Sequence, residues 1–179
     1  VTTFTAADPN VGDLLAFSIV GGADAAKFAI DPTTGALSFK TAPSFEVPTD
    51  VGTNNVYELI VQASDGTLVD TQALAVTVTN VNEAPVIITP AAVSTPENST
   101  FVMTVNAKDP DAGAVLTYSI GANALVGGAD YDKFTINPAT GVLSFKTAPD
   151  FEAPGSAAGS NVYGVIVQAS DGSLVDTQA

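Results

Sequence analysis

Two halves of this chain repeat each other almost residue for residue, and this repetition limits the possible folds more than any other feature. Residues 20–73 align without a gap with residues 126–179, and about 37 of the 54 aligned positions are identical. Upstream, Asp8-Pro9 aligns with Asp109-Pro110, so the second copy has five extra residues, placed most simply at residues 121–125. A period of roughly 100 residues is too long for a solenoid unit and fits a domain repeated in tandem. We therefore predict two domains, residues 1–83 and residues 84–179.

The frame of the repeat indicates that each copy lacks one terminal strand. Residues 1–7 align with residues 102–108, so the first copy has no counterpart of residues 84–101. The second copy likewise has no counterpart of residues 74–83. We expect the chain to be a window on a longer array of such repeats. The alternative is that another chain supplies the missing edges by strand addition.

Apolar residues alternate with polar ones over short segments throughout both copies, which is typical of half-buried β-strands. Leu74, Val76 and Val78 form one such stripe. Another runs through residues 57–63 and is matched by residues 163–169. Residues 31–35 contain Pro and Gly between two such stripes and predict a hairpin turn. Short strands with regular turn signals predict an all-β fold of Greek-key β-sandwich domains, with about seven strands each.

Composition excludes several classes of function. Nineteen acidic residues against five basic ones give a formal net charge of −14, which repels nucleic acid and anionic membrane surfaces. The chain has no histidine and no cysteine, so zinc sites and Ser/His or Cys/His catalysis are excluded. No apolar run reaches the ~20 residues of a membrane-spanning helix, so we expect no membrane insertion in this segment.

Several motifs in the chain match those of one family of repeats. They are Pro96-Glu97-Asn98, residues 107–113 (AKDPDAG) with residues 116–120 (LTYSI), residues 134–136 (FTI), residues 140–143 (TGVL), residues 150–152 (DFE), residues 163–172 (YGVIVQASDG) and residues 80–85 (NVNEAP). With these motifs the chain resembles the cadherin repeat, in the form found in large bacterial surface proteins. The resemblance implies sandwich domains arranged end to end outside the cell, with calcium at the junctions between repeats.

The resemblance also implies the calcium ligands, all of which are oxygen donors that suit this ion. Ligands at the junction between the two copies would be Glu46, Asn82, Glu83, Asp109, Asp111 and Asp171. Two half-sites would belong to junctions with further repeats, one with Asp8, Asn10 and Asp65 and the other with Glu97, Asp150 and Glu152. Ser44 stands where the second copy has Asp150, which implies fewer ions at the central junction than the family's full set.

The leading functional hypothesis is an extracellular structural or adhesive segment of a cell-surface stalk, adhesin or filament, stiffened by calcium. Its expected partners are neighbouring repeats of the same chain, homotypic chains in a filament, or a cell-surface ligand. One alternative is a carbohydrate- or cell-binding module that uses a loop such as residues 121–131. Another is a spacer domain of an exported hydrolase. We expect no enzymatic activity in this segment, because the acidic residues recur at the same turn and linker positions in both copies, unlike the single carboxylate pair of a glycosidase.

Overall fold

The computed structural model describes residues 1–10 and 12–179. The chain divides into two compact units, Val1–Val81 and Asn82–Ala179. The regular secondary structure of both units consists mainly of short antiparallel strands. The predicted all-β class is therefore confirmed, while the division at residue 83 stays a prediction from the repeat.

The first unit contains two three-stranded sheets. Its strands are β1 (Thr2–Thr3), β2 (Ala16–Gly21), β3 (Phe28–Ile30), β4 (Ala36–Phe39), β5 (Val56–Ser64) and β6 (Val69–Thr77). One sheet has the order β1-β4-β3 and the other β2-β5-β6. A 3-10 turn, Ala25–Lys27, precedes β3.

The core of the first unit lies between its two sheets. Phe28 and Leu37 of the first sheet are each 2% exposed, and Tyr57 and Leu59 of the second are each 1% exposed. The hairpin predicted at residues 31–35 is confirmed, because β3 and β4 pair directly on either side of it. Asp31 closes the turn by accepting backbone hydrogen bonds from Thr33 and Thr34.

The second unit repeats this plan with shorter strands. They are β7 (Val86–Ile87), β8 (Phe101–Thr104), β9 (Ala107–Lys108), β10 (Thr117–Ile120), β11 (Phe134–Ile136), β12 (Val142–Phe145), β13 (Val167–Ser170) and β14 (Val175–Gln178). Three sheets result, with the orders β11-β12-β8, β10-β13-β14 and β7-β9. The core contains a stacked phenylalanine pair, Phe134 and Phe145, with ring centroids 4.4 Å apart.

One predicted strand is shorter than expected. The sequence predicts that the apolar stripe at Tyr163, Val165, Val167 and Ala169 matches the long strand β5, but β13 begins only at Val167. In the first unit, β6 pairs with β5 along all nine residues. In the second unit, β14 pairs with Val167–Ser170 alone, and Gly164 and Ile166 donate their backbone N–H groups to Asp130 and to the carbonyl of Gly127.

The five-residue insertion was predicted to be a loop, and its last residues instead enter one helical turn, α1 (Ala124–Gly127). Asn123 initiates this turn, since its side-chain oxygen accepts hydrogen bonds from the backbone N–H groups of Leu125 and Val126. Leu125 is 88% exposed on it.

In the described residues no helix is long and apolar enough to cross a bilayer.

Candidate metal centre

The first residues of the second unit are held onto two of its acidic loops. Asn82 donates a side-chain hydrogen bond to Oδ2 of Asp171 over 2.6 Å. The backbone N–H of Glu83 donates to Oδ2 of Asp111 over 3.0 Å. Four of the residues assigned to the central junction thus lie together, although the two aspartates are 60 positions apart in the sequence.

Asp109 lies in the same loop as Asp111 and has one carboxylate oxygen without a partner. Its Oδ1 accepts a hydrogen bond from the backbone N–H of Asp111 over 2.9 Å. Its Oδ2 is buried and accepts no hydrogen bond in the described part of the protein. Burying a carboxylate oxygen without a partner costs folding free energy, and a hydrogen-bond donor or a cation bound to this atom would offset that cost.

Asp171 is oriented by the turn that follows β13. Its Oδ1 accepts backbone hydrogen bonds from Ser173 over 2.6 Å and from Leu174 over 2.7 Å. These backbone bonds, led by the one from Leu174, and the side-chain bond from Asn82 hold the pKa of this carboxyl below its ordinary value. Asp171 therefore stays ionised under acidic conditions that protonate an ordinary aspartate.

The residues present at this end of the second unit fit a calcium ion. Four carboxylates and one amide, those of Glu83, Asp109, Asp111, Asp171 and Asn82, are hard oxygen donors, which calcium prefers, and Oδ2 of Asp109 is buried without a hydrogen bond in the described residues. Asp109 and Asp171 belong to no group of three carboxylates within 4.8 Å of one another in the described residues. They are connected instead by hydrogen bonds: the backbone of Asp111 donates to Asp109, and the backbone of Glu83 donates to Asp111. Asn82, next to Glu83, donates to Asp171.

One predicted half-site in the first unit gains a carboxylate that the sequence analysis missed. Asp8, Asp13 and Asp65 have carboxylate oxygens that all lie within 4.8 Å of one another. Asp13 aligns with Ala114, so comparison of the two copies gave no signal for it. The predicted residue Asn10 donates its backbone N–H to Asp8 over 2.7 Å.

Asp65 repeats the turn geometry of Asp171. Its Oδ1 accepts backbone hydrogen bonds from Leu68 over 2.6 Å and from Thr67 over 2.7 Å. These bonds lower the pKa of the Asp65 carboxyl, and the bond from Leu68 has the largest effect.

The three residues of the other predicted half-site lie together in the second unit. Glu97, Asp150 and Glu152 have carboxylate oxygens within 4.8 Å of one another, and all three are exposed. The backbone N–H of Phe151 donates to Oε2 of Glu97 over 3.0 Å. Asp150 accepts a backbone hydrogen bond from Glu152 over 2.9 Å.

Glu46 lies in the first unit, in the segment equivalent to residues 150–152. Ser44 donates a side-chain hydrogen bond to Oε2 of Glu46 over 3.0 Å. A hydroxyl in the first copy thus stands beside the glutamate where the second copy has the Asp150 carboxylate.

Comparison with known proteins identifies the family. The family model of the cadherin domain matches residues 91–179. The chain is 32% identical to the protocadherin-like wing polarity protein stan of Drosophila melanogaster, over 99% of this chain and 5% of that protein. It is 29% identical to protocadherin Fat 4 of Mus musculus, over 81% of this chain and 3% of that protein. The chain thus spans only a small part of these relatives.

Solved structures show the same fold. The crystal structure of human protocadherin-24 EC1-2 (form II) superimposes with a TM-score of 0.62 at 22% sequence identity, over 99% of this chain and 81% of that one. This likeness agrees with the sandwich seen in each unit and with the matched domain at residues 91–179. Residues 91–179 of the chain are a domain of the cadherin family.

Proposed function

We propose that this chain is an extracellular structural or adhesive segment of a cell-surface stalk or filament, in which two tandem domains, residues 1–83 and 84–179, are joined through a calcium-binding linker. The family match and the tandem repeat support the structural role. The bacterial form of the repeat remains a prediction from its motifs, and adhesion rests on the protocadherin relatives.

One observation supports the calcium site above all others. The linker residues Asn82 and Glu83 are hydrogen-bonded to Asp171 and Asp111, beside the unpartnered buried oxygen of Asp109. We propose that these five residues and Glu46 of the first unit are the ligands. A calcium ion bound there would supply positive charge to carboxylates that otherwise repel one another.

The chain's own contacts prepare the site before any ion binds. Backbone hydrogen bonds hold one oxygen of Asp109 and one of Asp171 in tight turns, which fixes the direction of the second oxygen of each. Because less side-chain freedom is lost on binding, such fixed carboxylates bind a cation at a lower entropic cost. Asp8, Asp13 and Asp65 at one half-site and Glu97, Asp150 and Glu152 at the other would act in the same way toward neighbouring repeats.

Calcium titration of the whole chain tests the proposal. We expect saturable binding by calorimetry with a dissociation constant on the order of 0.1 to 1 mM, the range of extracellular modules. At a calcium concentration ten times that constant, the free energy of unfolding should rise by about 1.4 kcal/mol. Sodium chloride at the same ionic strength is the control, because salt alone screens the repulsion within an acidic chain.

A matched pair of double variants locates the site. Asp109→Asn with Asp111→Asn should weaken calcium binding at least tenfold and leave both units folded. Asp70→Asn with Asp132→Asn removes the same charge from exposed positions outside the proposed sites and should keep the wild-type affinity. Equal affinities in the two double variants would refute the assignment, as would stabilisation by sodium chloride equal to that by calcium.

A second function, recognition of carbohydrate or of another cell, is favoured by one feature. The insertion in the second unit presents Leu125, 88% exposed, and Val126, 44% exposed, on the turn α1. A glycan-array signal that is lost when residues 121–125 are deleted would establish this function. An unchanged signal would exclude the insertion as the binding loop.

A further inference from the structure

In the first unit, the loop that follows the acidic segment at residues 44–46 turns back onto that segment. Nδ2 of Asn55 donates a hydrogen bond to the carbonyl of Phe45 over 2.8 Å. Phe45 directly precedes Glu46, a ligand in the proposed calcium site. The carbonyl of Phe45 and the N–H of Glu46 belong to one planar peptide unit. The hydrogen bond from Asn55 therefore holds the peptide from which the Glu46 side chain projects.

The second unit has the same contact at the equivalent positions. Asn161 aligns with Asn55, and its Nδ2 donates to the carbonyl of Phe151 over 3.0 Å. Phe151 lies between two acidic residues of the half-site, and its backbone N–H donates to Oε2 of Glu97 over 3.0 Å. Phe151 is thus held at its carbonyl by Asn161 and at its N–H by Glu97.

Asn55 is itself fixed by the rest of the first unit. Its backbone N–H donates to Oδ1 of Asp50 over 3.0 Å, and its carbonyl accepts from the N–H of Val78 over 2.8 Å. Asp50 is 3% exposed and Asn55 is 9% exposed. The next residue, Val56, begins β5, which is the central strand of its sheet. Asn55 therefore joins the acidic segment to a central strand of the sandwich.

Two oxygens of the residues around this contact are buried without a hydrogen bond in the described part of the chain. They are Oε1 of Glu46 and Oδ1 of Asn55. Burying the amide oxygen of Asn55 unpaired costs free energy, which offsets what its Nδ2 hydrogen bond contributes. The contact therefore adds little net stability, and its main effect is on the geometry of the acidic segment. The unpaired oxygen of Glu46 is available to a cation.

We propose that Asn55 and Asn161 are positioning residues for calcium binding. Each holds the backbone of an acidic segment through one carbonyl and so restricts the directions that the neighbouring carboxylates can take. These carboxylates are those of Glu46 in the first unit and of Asp150 and Glu152 in the second. Because they are fixed before an ion arrives, they lose less conformational freedom on binding. This inference rests on the proposed calcium-binding function.

A first test needs no calcium and uses the second unit, where Asn161 is exposed and can be truncated without leaving a buried cavity. In Asn161→Ala, with excess chelator, the amide proton of Phe151 should shift toward its random-coil position in NMR spectra, because its peptide is no longer held against Glu97. Asn137→Ala is the matched control. It removes an exposed asparagine that accepts two backbone hydrogen bonds in a turn of the same unit, and it should leave the Phe151 signal unchanged. An unchanged Phe151 signal in Asn161→Ala would overturn the proposal.

A second test measures the calcium affinity of variants in the first unit by calorimetry. Asn55→Gly removes the amide but accepts the backbone conformation, since Asn55 has a φ of +62°. The calcium dissociation constant should rise roughly tenfold, as it does when other residues that orient metal ligands are removed. The control Asn54→Gly removes an exposed asparagine one position away and should keep the wild-type constant.

The calorimetry also separates this inference from the proposed function. If the wild type binds calcium and Asn55→Gly binds it equally well, the positioning role is refuted and the calcium site stands. If the wild type does not bind calcium, the proposed function is refuted together with the positioning role. A loss of the folded circular dichroism spectrum in Asn55→Gly would also overturn the inference, because it would show that the contact maintains the fold.

Discussion

Gly164 donates its backbone N–H to Oδ2 of Asp130 over 2.8 Å, and Asp130 returns a backbone hydrogen bond to the carbonyl of Gly164 over 2.9 Å. The other oxygen of Asp130 accepts from the backbone N–H of Ala157 over 2.6 Å, and the residue is only 2% exposed. Asp24 makes the same contacts in the first unit, with Glu58 and Val51. A buried carboxylate therefore ties a strand segment to a long loop in both copies.

Replacing this carboxylate should destabilise its unit. In Asp130→Asn, one of the two backbone N–H donors would face an amide NH₂ group instead of an oxygen. An unsatisfied buried donor costs about 1–3 kcal/mol of folding free energy. Urea unfolding should show this loss, whereas Asp132→Asn, an exposed aspartate two positions away, should change stability by no more than about 0.5 kcal/mol. Equal stability of the two variants would contradict a structural role for Asp130.

Gly141 follows the turn between β11 and β12 and cannot accept a side chain. Its φ is +69°, and an added Cβ would lie 2.2 Å from the carbonyl oxygen of Val105. Gly141→Ala should therefore cost about 2–4 kcal/mol, from backbone strain and overpacking together. Gly159 has a similar φ of +64° but open space around it, so Gly159→Ala should cost only about 1 kcal/mol. Thermal unfolding of both variants separates the steric contribution from the conformational one.

Acid should weaken the fold through aspartates that close turns. The pKa values of Asp31, Asp65 and Asp171 are lowered from 3.8 by backbone hydrogen bonds. A carboxyl group whose pKa is lower in the folded state stabilises the fold at pH values above its unfolded-state pKa. This contribution is lost as the pH falls through its folded-state pKa. Unfolding free energies measured from pH 7 to pH 2 should therefore begin to fall near pH 4 and continue to fall below it.

The Asp171→Ser variant checks the origin of that pH dependence. Serine keeps an acceptor for the backbone of the turn but does not titrate. The variant should lose less stability between pH 4 and pH 2 than the wild type. An identical loss in both proteins would show that Asp171 does not contribute.

The proposed calcium site predicts that Ser44→Asp strengthens calcium binding. The substitution restores the carboxylate that the second copy has at Asp150, next to Glu46 instead of the present hydroxyl contact. Without calcium the new carboxylate repels Glu46, so the melting temperature should fall slightly. With calcium the dissociation constant should decrease several-fold, whereas Ser44→Ala should leave it unchanged or increase it. A decrease in the alanine variant equal to that in the aspartate variant would contradict the role assigned to this position.

The sequence alone determined the features that depend on local pattern and on repetition. The alternation at residues 57–63 predicted β5, and the Pro- and Gly-containing residues 31–35 predicted the hairpin, because strand period and turn preference act over a few residues. The shared motifs also predicted that the carboxylates of Glu97, Asp150 and Glu152 lie together, since each motif occupies a fixed place in the repeated domain.

Only the tertiary structure decided which distant groups meet. Asp13 joins Asp8 and Asp65, and Asp130 is buried by a loop 27 residues away, although neither position stands out in the sequence. Tyr163 and Val165 have the pattern of a strand but lie outside β13. A strand needs a neighbour as well as an alternating sequence, because its backbone hydrogen bonds are made between segments and not within one.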